Sequence, residues 1–227
     1  MLLRGTRNLK TNYEKHKVYF EDIIEIGTPN GIFEDVLIGT HKGKTVGYAS
    51  VYGDAMASEI THLFGVLGTS QVIQTGCCGA LADNILPGDI ICATSVHCGE
   101  GSAQYYVPNG SEIKASKELL DLISEMNINS VHIHRGNIWT TSALLAEGAE
   151  DVQRWHDQGY IAVDMETAST FAVAQYFGMK KISMLFAFDN PRHGEHIFIT
   201  DVEKGERRMI GEKTMIDTAL SIIAGIE

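Results

Sequence analysis

The sequence predicts an α/β protein folded as a single domain in three layers, with a sheet held between two layers of helices. Apolar, β-rich runs alternate along the chain with segments of helical spacing, the pattern of a sheet covered on both faces. Runs such as Ile182-Ser-Met-Leu-Phe-Ala-Phe188 are apolar nearly throughout, as a strand buried on both sides must be. The 227 residues, 44% hydrophobic and 21% charged, contain no Pro/Gly/Ser-rich linker and no fixed-period repeat. A chain of that size buries a core without disulfides or metals to staple it.

Strands are expected at Thr45–Tyr52, Gln71–Thr75, Asp89–Val96, Val131–Thr140, Tyr160–Met165 and Lys181–Asp189. Between them, Met56, Ile60, Leu63, Phe64 and Leu67 recur at three and four residues and predict a helix. The same spacing in Leu119, Leu122, Ile123 and Met126, in Met165, Ala168, Ala172 and Tyr176, and in Met209, Ile216, Leu220 and Ile223 predicts three more. Gly99 to Ile113 is the longest irregular stretch and ends in turn chemistry at Pro108-Asn-Gly110. Long ordered loops at strand ends tend to carry function.

Lys and Arg number 18 against 29 Asp and Glu, a formal charge of −11 that opposes binding to nucleic acid or an anionic membrane. The start, Met1-Leu-Leu-Arg-Gly-Thr-Arg7, lacks the apolar core of a signal peptide, roughly 7–15 residues. No apolar run approaches the roughly 18 residues needed to span a bilayer, so the chain reads as cytoplasmic. Cys77, Cys78, Cys92 and Cys98 have neither zinc-ligand spacing nor a secretory context. They read as buried thiols, and no metal is expected.

Ligands of open α/β sheets bind beyond strand ends, and three ends draw notice. Thr75-Gly-Cys-Cys-Gly79 follows an apolar strand; it is either an ordinary tight turn or a place where backbone N–H groups approach a small ligand. Val163-Asp-Met-Glu-Thr167 puts two carboxylates where a strand passes into a helix. The helix dipole explains either acid, whereas a sugar diol gripped by a carboxylate and packed on a thioether explains the Met between them. Phe188-Asp-Asn-Pro-Arg192 ends an apolar run on an acid. Asp189 is there as an Asx-turn or as an acid whose pKa is raised by its apolar wall.

Val72-Ile-Gln-Thr-Gly-Cys-Cys-Gly-Ala-Leu81, Pro87-Gly-Asp-Ile-Ile91, Thr140-Thr-Ser142, Ala162-Val-Asp-Met-Glu-Thr-Ala168 and the strand ending at Asp189 resemble, in order and spacing, nucleoside phosphorylase family I. That family includes purine nucleoside and uridine phosphorylases and the methylthioadenosine and adenosylhomocysteine nucleosidases. The likeness runs from about Gly47 to the C-terminus, and residues 1–35 diverge from it. It implies a central mixed sheet in one domain spanning 1–227, cleavage of a nucleoside's N-glycosidic bond, and a homo-oligomer built on dimers, a hexamer being one such assembly. Glu166 would hold the ribose hydroxyls, Met165 would pack on the sugar, and Asp189 would act on the departing base. Gln74, Gly76 and Cys77 would line the pocket for phosphate or water, and Cys78, Gly79 and Thr141 would lie against the base. No cofactor is implied beyond inorganic phosphate as co-substrate.

The departures are specific. Gln74 and Cys77 stand where family phosphorylases usually carry an Arg and a Ser or Thr that contact phosphate, and no Lys or Arg occurs from Thr45 to Ile113. The family's Gly-Asp-Pro-x-Arg loop has no counterpart, with Gly27-Thr-Pro-Asn-Gly31 at roughly its place. Phosphate recognition relies on Arg or Lys or on helix N-termini. Cations would have to come from Arg4 or Arg7 of a neighbouring subunit, or from Arg135, Arg192, Arg207 or Arg208; otherwise water is the nucleophile. A purine or modified base is favoured, because the Gln-x-Arg pair of the uridine branch is missing from Leu144-Leu-Ala-Glu-Gly148. Tyr105, Tyr106 and Trp139 either stack on that base or serve as packing. His97, His193 and His196 lack a placed partner, and a lid from Asp189 to His196 is a further expectation. A sensor that binds nucleosides without cleaving them is the rival of another class, and Asp189 weighs against it.

Overall fold

In chain order the protein folds as β1 (Leu2–Gly5), α1 (Leu9–Lys17), β2 (Glu21–Glu25), β3 (Val36–His41), β4 (Lys44–Val51), α2 (Gly53–Val66), β5 (Gln71–Ala80), β6 (Ile90–Gly99), β7 (Glu112–Lys114), α3 (Lys117–Glu125), β8 (Ile133–Thr141), α4 (Ala149–Asp157), β9 (Ala162–Asp164), α5 (Thr167–Tyr176), β10 (Lys180–Asp189) and α6 (Val202–Ala224). The structure is a computed structural model and describes residues 1–108, 110–126, 128, 130–195 and 202–225.

The strands make one mixed sheet in the order β10-β6-β8-β9-β5-β1-β4-β3-β2, with β7 on β6 and β10 also paired to β5. Strands β5, β10, β6, β8 and β9 therefore close on themselves, while β1, β4, β3 and β2 extend outward from β5. Period-two alternation divides the side chains between two faces. Leu2 and Ile73 join a core with Met215, Ile216 and Ala219 of α6 and Leu119 and Ile123 of α3. Leu3 and Val72 join a core with Ile60 and Phe64 of α2 on the other face. Gly47 makes that second packing possible, since a Cβ there would lie 2.0 Å from the Phe64 ring. Helix α5 is buried from Thr167 to Ala174 on every side, which its Ala, Ser and Thr content permits. The three-layer α/β arrangement with a central mixed sheet is thus present.

Strand β5 positions the site. Its expected end at Thr75 and the tight turn after it are not found: the strand continues to Ala80, paired with β10 from Gln71 to Gly79. Along its other edge the partner changes. Strand β1 pairs through Arg4 with Thr75, and β9 takes over where Val163 meets Gly79. Between those pairings, Gly76, Cys77 and Cys78 face a fork with no strand on that edge. A change of strand partner is where α/β sheets open a crevice.

Six elements lie outside the expected pattern: α1, α4, β1, β2, β3 and β7. Helix α1, Leu-Lys-Thr-Asn-Tyr-Glu-Lys-His-Lys, buries Tyr13 and His16 alone, and α4 buries Val152 and Trp155 alone. Strand β1 is four residues long, and β2 is an exposed edge.

Candidate active site

The fork in the sheet gathers several strand ends. Gly5 ends β1, and a Cβ on it would stand 2.7 Å from Glu166 Oε2 and 3.1 Å from Gln74 Nε2, so only glycine admits this approach. Gly53, at the start of α2 after β4, donates its N–H to Glu166 Oε1 at 2.8 Å. A carboxylate held by a helix N-terminus is favourably placed in the helix field.

At the β9–α5 corner the two acids divide their work. Asp164 is buried and accepts from Thr140 Oγ1 at 2.6 Å, Thr167 N at 2.8 Å and Thr167 Oγ1 at 2.5 Å. It closes the first turn of α5, and burial raises its pKa against the pull of those donors. Glu166, next to it and also buried, turns to the fork instead, with Met165 half-buried beside it. Burial and then the Asp164 charge push the Glu166 carboxyl up to about 8, against the Gly53 N–H and the Arg4 charge.

A similar division occurs at the end of β10. The Asx-turn belongs to Asn190, whose side chain accepts from Arg192 N at 3.2 Å and donates to Ala82 O at 2.9 Å. Asp189 is left to face Gly79, its Oδ1 3.5 Å from where a Cβ on that glycine would lie. Burial raises its pKa to about 6, while Arg208 and Arg7 hold it lower than burial alone would. Arg208 is fixed by donating Nε to Phe188 O at 2.6 Å, with its guanidinium 4.0 Å from the Phe188 ring centre.

Cys77 stands between the two corners. Its thiol is accessible yet ringed by protein; burial pushes it up to about 11, with Glu166 and Asp189 raising it and Arg4 and Arg7 lowering it. It is therefore a neutral thiol at physiological pH. Gln74 is fully buried, its Oε1 accepting from Thr170 Oγ1 at 2.9 Å and its Nε2 donating to Thr75 O at 3.0 Å. Cys78 lies in the core, Gly79 lies against Val163 and Pro191, and Thr141 is buried at the end of β8.

The glycine loop at 27–31, at roughly the place of the family's missing phosphate loop, lies away from the fork, and the N-terminal segment lies beside the fork. Gly27 to Gly31 joins β2 to β3 at the outer edge of the sheet and folds on itself, with Gly31 N bonded to Thr28 O at 2.9 Å. The turn beside Glu166 is instead Gly5-Thr-Arg-Asn8, between β1 and α1. Arg4 and Arg7 of the same chain act on the fork, through their charges on Cys77, Glu166 and Asp189. Arg4 is buried, bonded through Nη2 to Glu212 at 2.6 Å, and its Nε and Nη1 are buried with no hydrogen-bond partner. Of the other cations, Arg192 is bonded to Asp83, Arg207 to Asp89 and Arg135 to Leu120 O.

Trp139 stacks with His97 at 4.1 Å and with Trp155 at 5.4 Å, so its ring is engaged in packing. His97 bonds Tyr160 OH at 3.1 Å within that stack. Tyr106 bonds His62 at 3.2 Å, Tyr105 points to solvent, and His196 lies outside the described residues. Sequence reasoning passed over Glu147. Its Oε1 is buried without a partner, and burial followed by the Asp189 and Asp151 charges raises its pKa to about 7. No periodicity marks it; its place five residues beyond Ser142, in the loop that follows β8, was the available clue. Among the described residues no three His, Cys, Asp or Glu side chains gather as a metal site requires.

A family model described as the phosphorylase superfamily matches residues 14–223. The chain belongs to that superfamily. Relatives by sequence include DeoD-type purine nucleoside phosphorylases of Clostridium beijerinckii, 25% identical over 223 residues covering 92% of this chain and 86% of the relative, and of Bacillus cytotoxicus, 26% identical over 212 residues covering 90% and 85%. Among solved structures, a Vibrio fischeri uridine phosphorylase superposes with a TM-score of 0.82 at 21% identity, covering 99% of this chain and 90% of that one. A Streptococcus pneumoniae MTA/SAH nucleosidase superposes with a TM-score of 0.76 at 16% identity, covering 99% and 98%. The fold is therefore that of the nucleoside phosphorylases and nucleosidases, and the chain is an enzyme of that superfamily. Among the described residues no helix is long and apolar enough to cross a membrane.

Proposed function

We propose that the enzyme cleaves the N-glycosidic bond of a purine-type nucleoside by phosphorolysis, giving free base and ribose 1-phosphate. The observation that carries this reading is the fork at Gly76–Cys78, where Glu166 comes against Gly5 and is held by Gly53 N–H at 2.8 Å, Asp189 comes against Gly79, and the charges of Arg4 and Arg7 reach Cys77 between them. An anionic nucleophile needs fixed positive charge, and the two arginines supply it where β5 carries none. The relation to purine nucleoside phosphorylases supports the same choice.

In this reading Glu166 accepts hydrogen bonds from the vicinal hydroxyls of the ribose, and Met165 packs against its apolar face. As the C–N bond breaks, the sugar becomes cationic, so an ionised Glu166 binds the transition state more tightly than the ground state. Asp189, protonated, donates to the base nitrogen on which negative charge develops. Phosphate enters beside Gly76 and Cys77, and Gly79, Thr141 and the backbone of Cys78, whose side chain is in the core, border the base. Glu147, near Asp189 and with an unpartnered oxygen, accepts from an N–H on the base edge, which suits a purine. We place the chain in a homo-oligomer built on dimers.

Hydrolysis is the second reading. Gln74 is neutral, and Arg4 is already paired with Glu212, both of which suit water. Purified protein incubated with inosine, adenosine, guanosine and uridine separates the two. Release of base that needs phosphate and yields ribose 1-phosphate is expected; release without phosphate assigns hydrolysis, and stabilisation by nucleosides with no release assigns a sensor. Arg7→Ala should raise the KM for phosphate roughly tenfold with little change for the nucleoside, since one charge-assisted contact is worth about 1.5–3 kcal/mol.

A further inference from the structure

We infer that Asp54 is a positioning residue that ties the sugar-gripping carboxyl to the two loops over the base. This rests on the nucleoside-cleaving reading above for its functional meaning, but its geometry stands alone. Asp54 is the second residue of α2 and follows Gly53, whose N–H holds Glu166 Oε1 at 2.8 Å. One of its carboxylate oxygens, Oδ2, accepts from Ser102 Oγ at 2.6 Å, in the loop after β6. The other, Oδ1, accepts from Ser142 Oγ at 3.1 Å, in the loop after β8 next to Thr141. The β6–β8 pairing ends where Gly99 meets Thr141, and beyond it the two loops meet α2 on this one carboxylate.

The loop after β6 is itself braced from within. Glu100 accepts from the backbone N–H groups of Ser102 and, at 3.1 Å, of Ala103. Burial, the largest cause, and the Asp54 charge raise the Glu100 pKa to about 7. A proton on Glu100 therefore lets the two acids lie side by side without repulsion. Ser142 is exposed, and its bond to Asp54 ties that loop to α2.

Hydrogen exchange on the free protein tests the geometric part without any assumed activity. Asp54→Ala should speed exchange in both segments, 99–106 and 141–147, roughly tenfold or more, whereas Asp54→Asn, which can still bond both hydroxyls, should stay within about threefold of wild type. Faster exchange in one segment only, or in neither, overturns the clamp. Kinetics with a nucleoside the wild-type enzyme cleaves test its purpose. Asp54→Ala should raise KM roughly tenfold with a smaller change in kcat, and Ser142→Ala added to it should cost little more, because both remove one interaction. Fully additive losses, or an unchanged KM, overturn the positioning role. A wild-type protein that shows the exchange pattern but releases no base would defeat the nucleoside-cleaving reading and leave the clamp standing.

Discussion

The corners after β9 and β10 solve one problem with different neighbours. In each, two polar residues close in sequence lie at the exit of a buried strand, and one of them closes the backbone so that the other is free. Asp164 caps α5 and releases Glu166; Asn190 makes the Asx-turn and releases Asp189. The difference lies in the charges nearby. Glu166 shares its corner with a buried acid and rises to about 8, whereas Asp189 has Arg208 behind it and rises only to about 6. If Glu166 must be ionised and Asp189 protonated, the active pair is the reverse of the dominant one near pH 7. A cationic transition state pulls Glu166 into its ionised form, which is why such a pairing serves catalysis better than ground-state binding.

The comparison can be broken at four points, from the largest expected effect to the smallest. Asp189→Asn should lower kcat roughly 10²–10⁴-fold while nucleoside binding, followed by calorimetry, stays within about threefold, the mark of a lost proton donor. Glu166→Gln should lower kcat/KM roughly 10²–10³-fold, since a neutral amide still bonds hydroxyls but no longer opposes the cationic sugar. Asp164→Asn should destabilise the fold by about 1–3 kcal/mol, seen in urea unfolding, because an amide cannot accept all the donors that converge there. Asn190→Ala should destabilise by about 1 kcal/mol, the loss of a turn bond and a bond to Ala82 O. Should Asp164 and Asn190 variants instead match the kinetic losses of their neighbours, the division of labour within each corner is wrong.

Much of this was legible in the residues. The apolar runs of β5, β6, β8 and β10 and the spacings in α2, α3, α5 and α6 were readable because their burial is one-sided or complete. Helix α1 and strand β1 were not: a polar nonapeptide and a four-residue strand owe their structure to long-range pairing, as when Leu3 aligns with Ala49 on one side and Gln74 on the other. That gap hid the turn Gly5–Asn8 and the placement of Arg4 and Arg7. The turn expected at Gly76–Gly79 failed for a related reason, since glycines that reduce local strand propensity are held extended by β10. The two acids of Asp164-Met-Glu166 could not be told apart by sequence, because capping depends on which carboxylate reaches Thr167 N.

The dependence of kcat/KM on pH, measured for wild type and for Asp189→Asn at higher enzyme concentration, tests the paired ionisation most directly. Wild type should rise to about pH 6, stay level to about pH 8 and fall beyond it, and the variant should keep rising to about pH 8 with no descending limb. A wild-type profile that changes in one direction only, or a variant that keeps the same alkaline fall, would contradict the assignment of Glu166 and Asp189 as base-form and acid-form partners of one site.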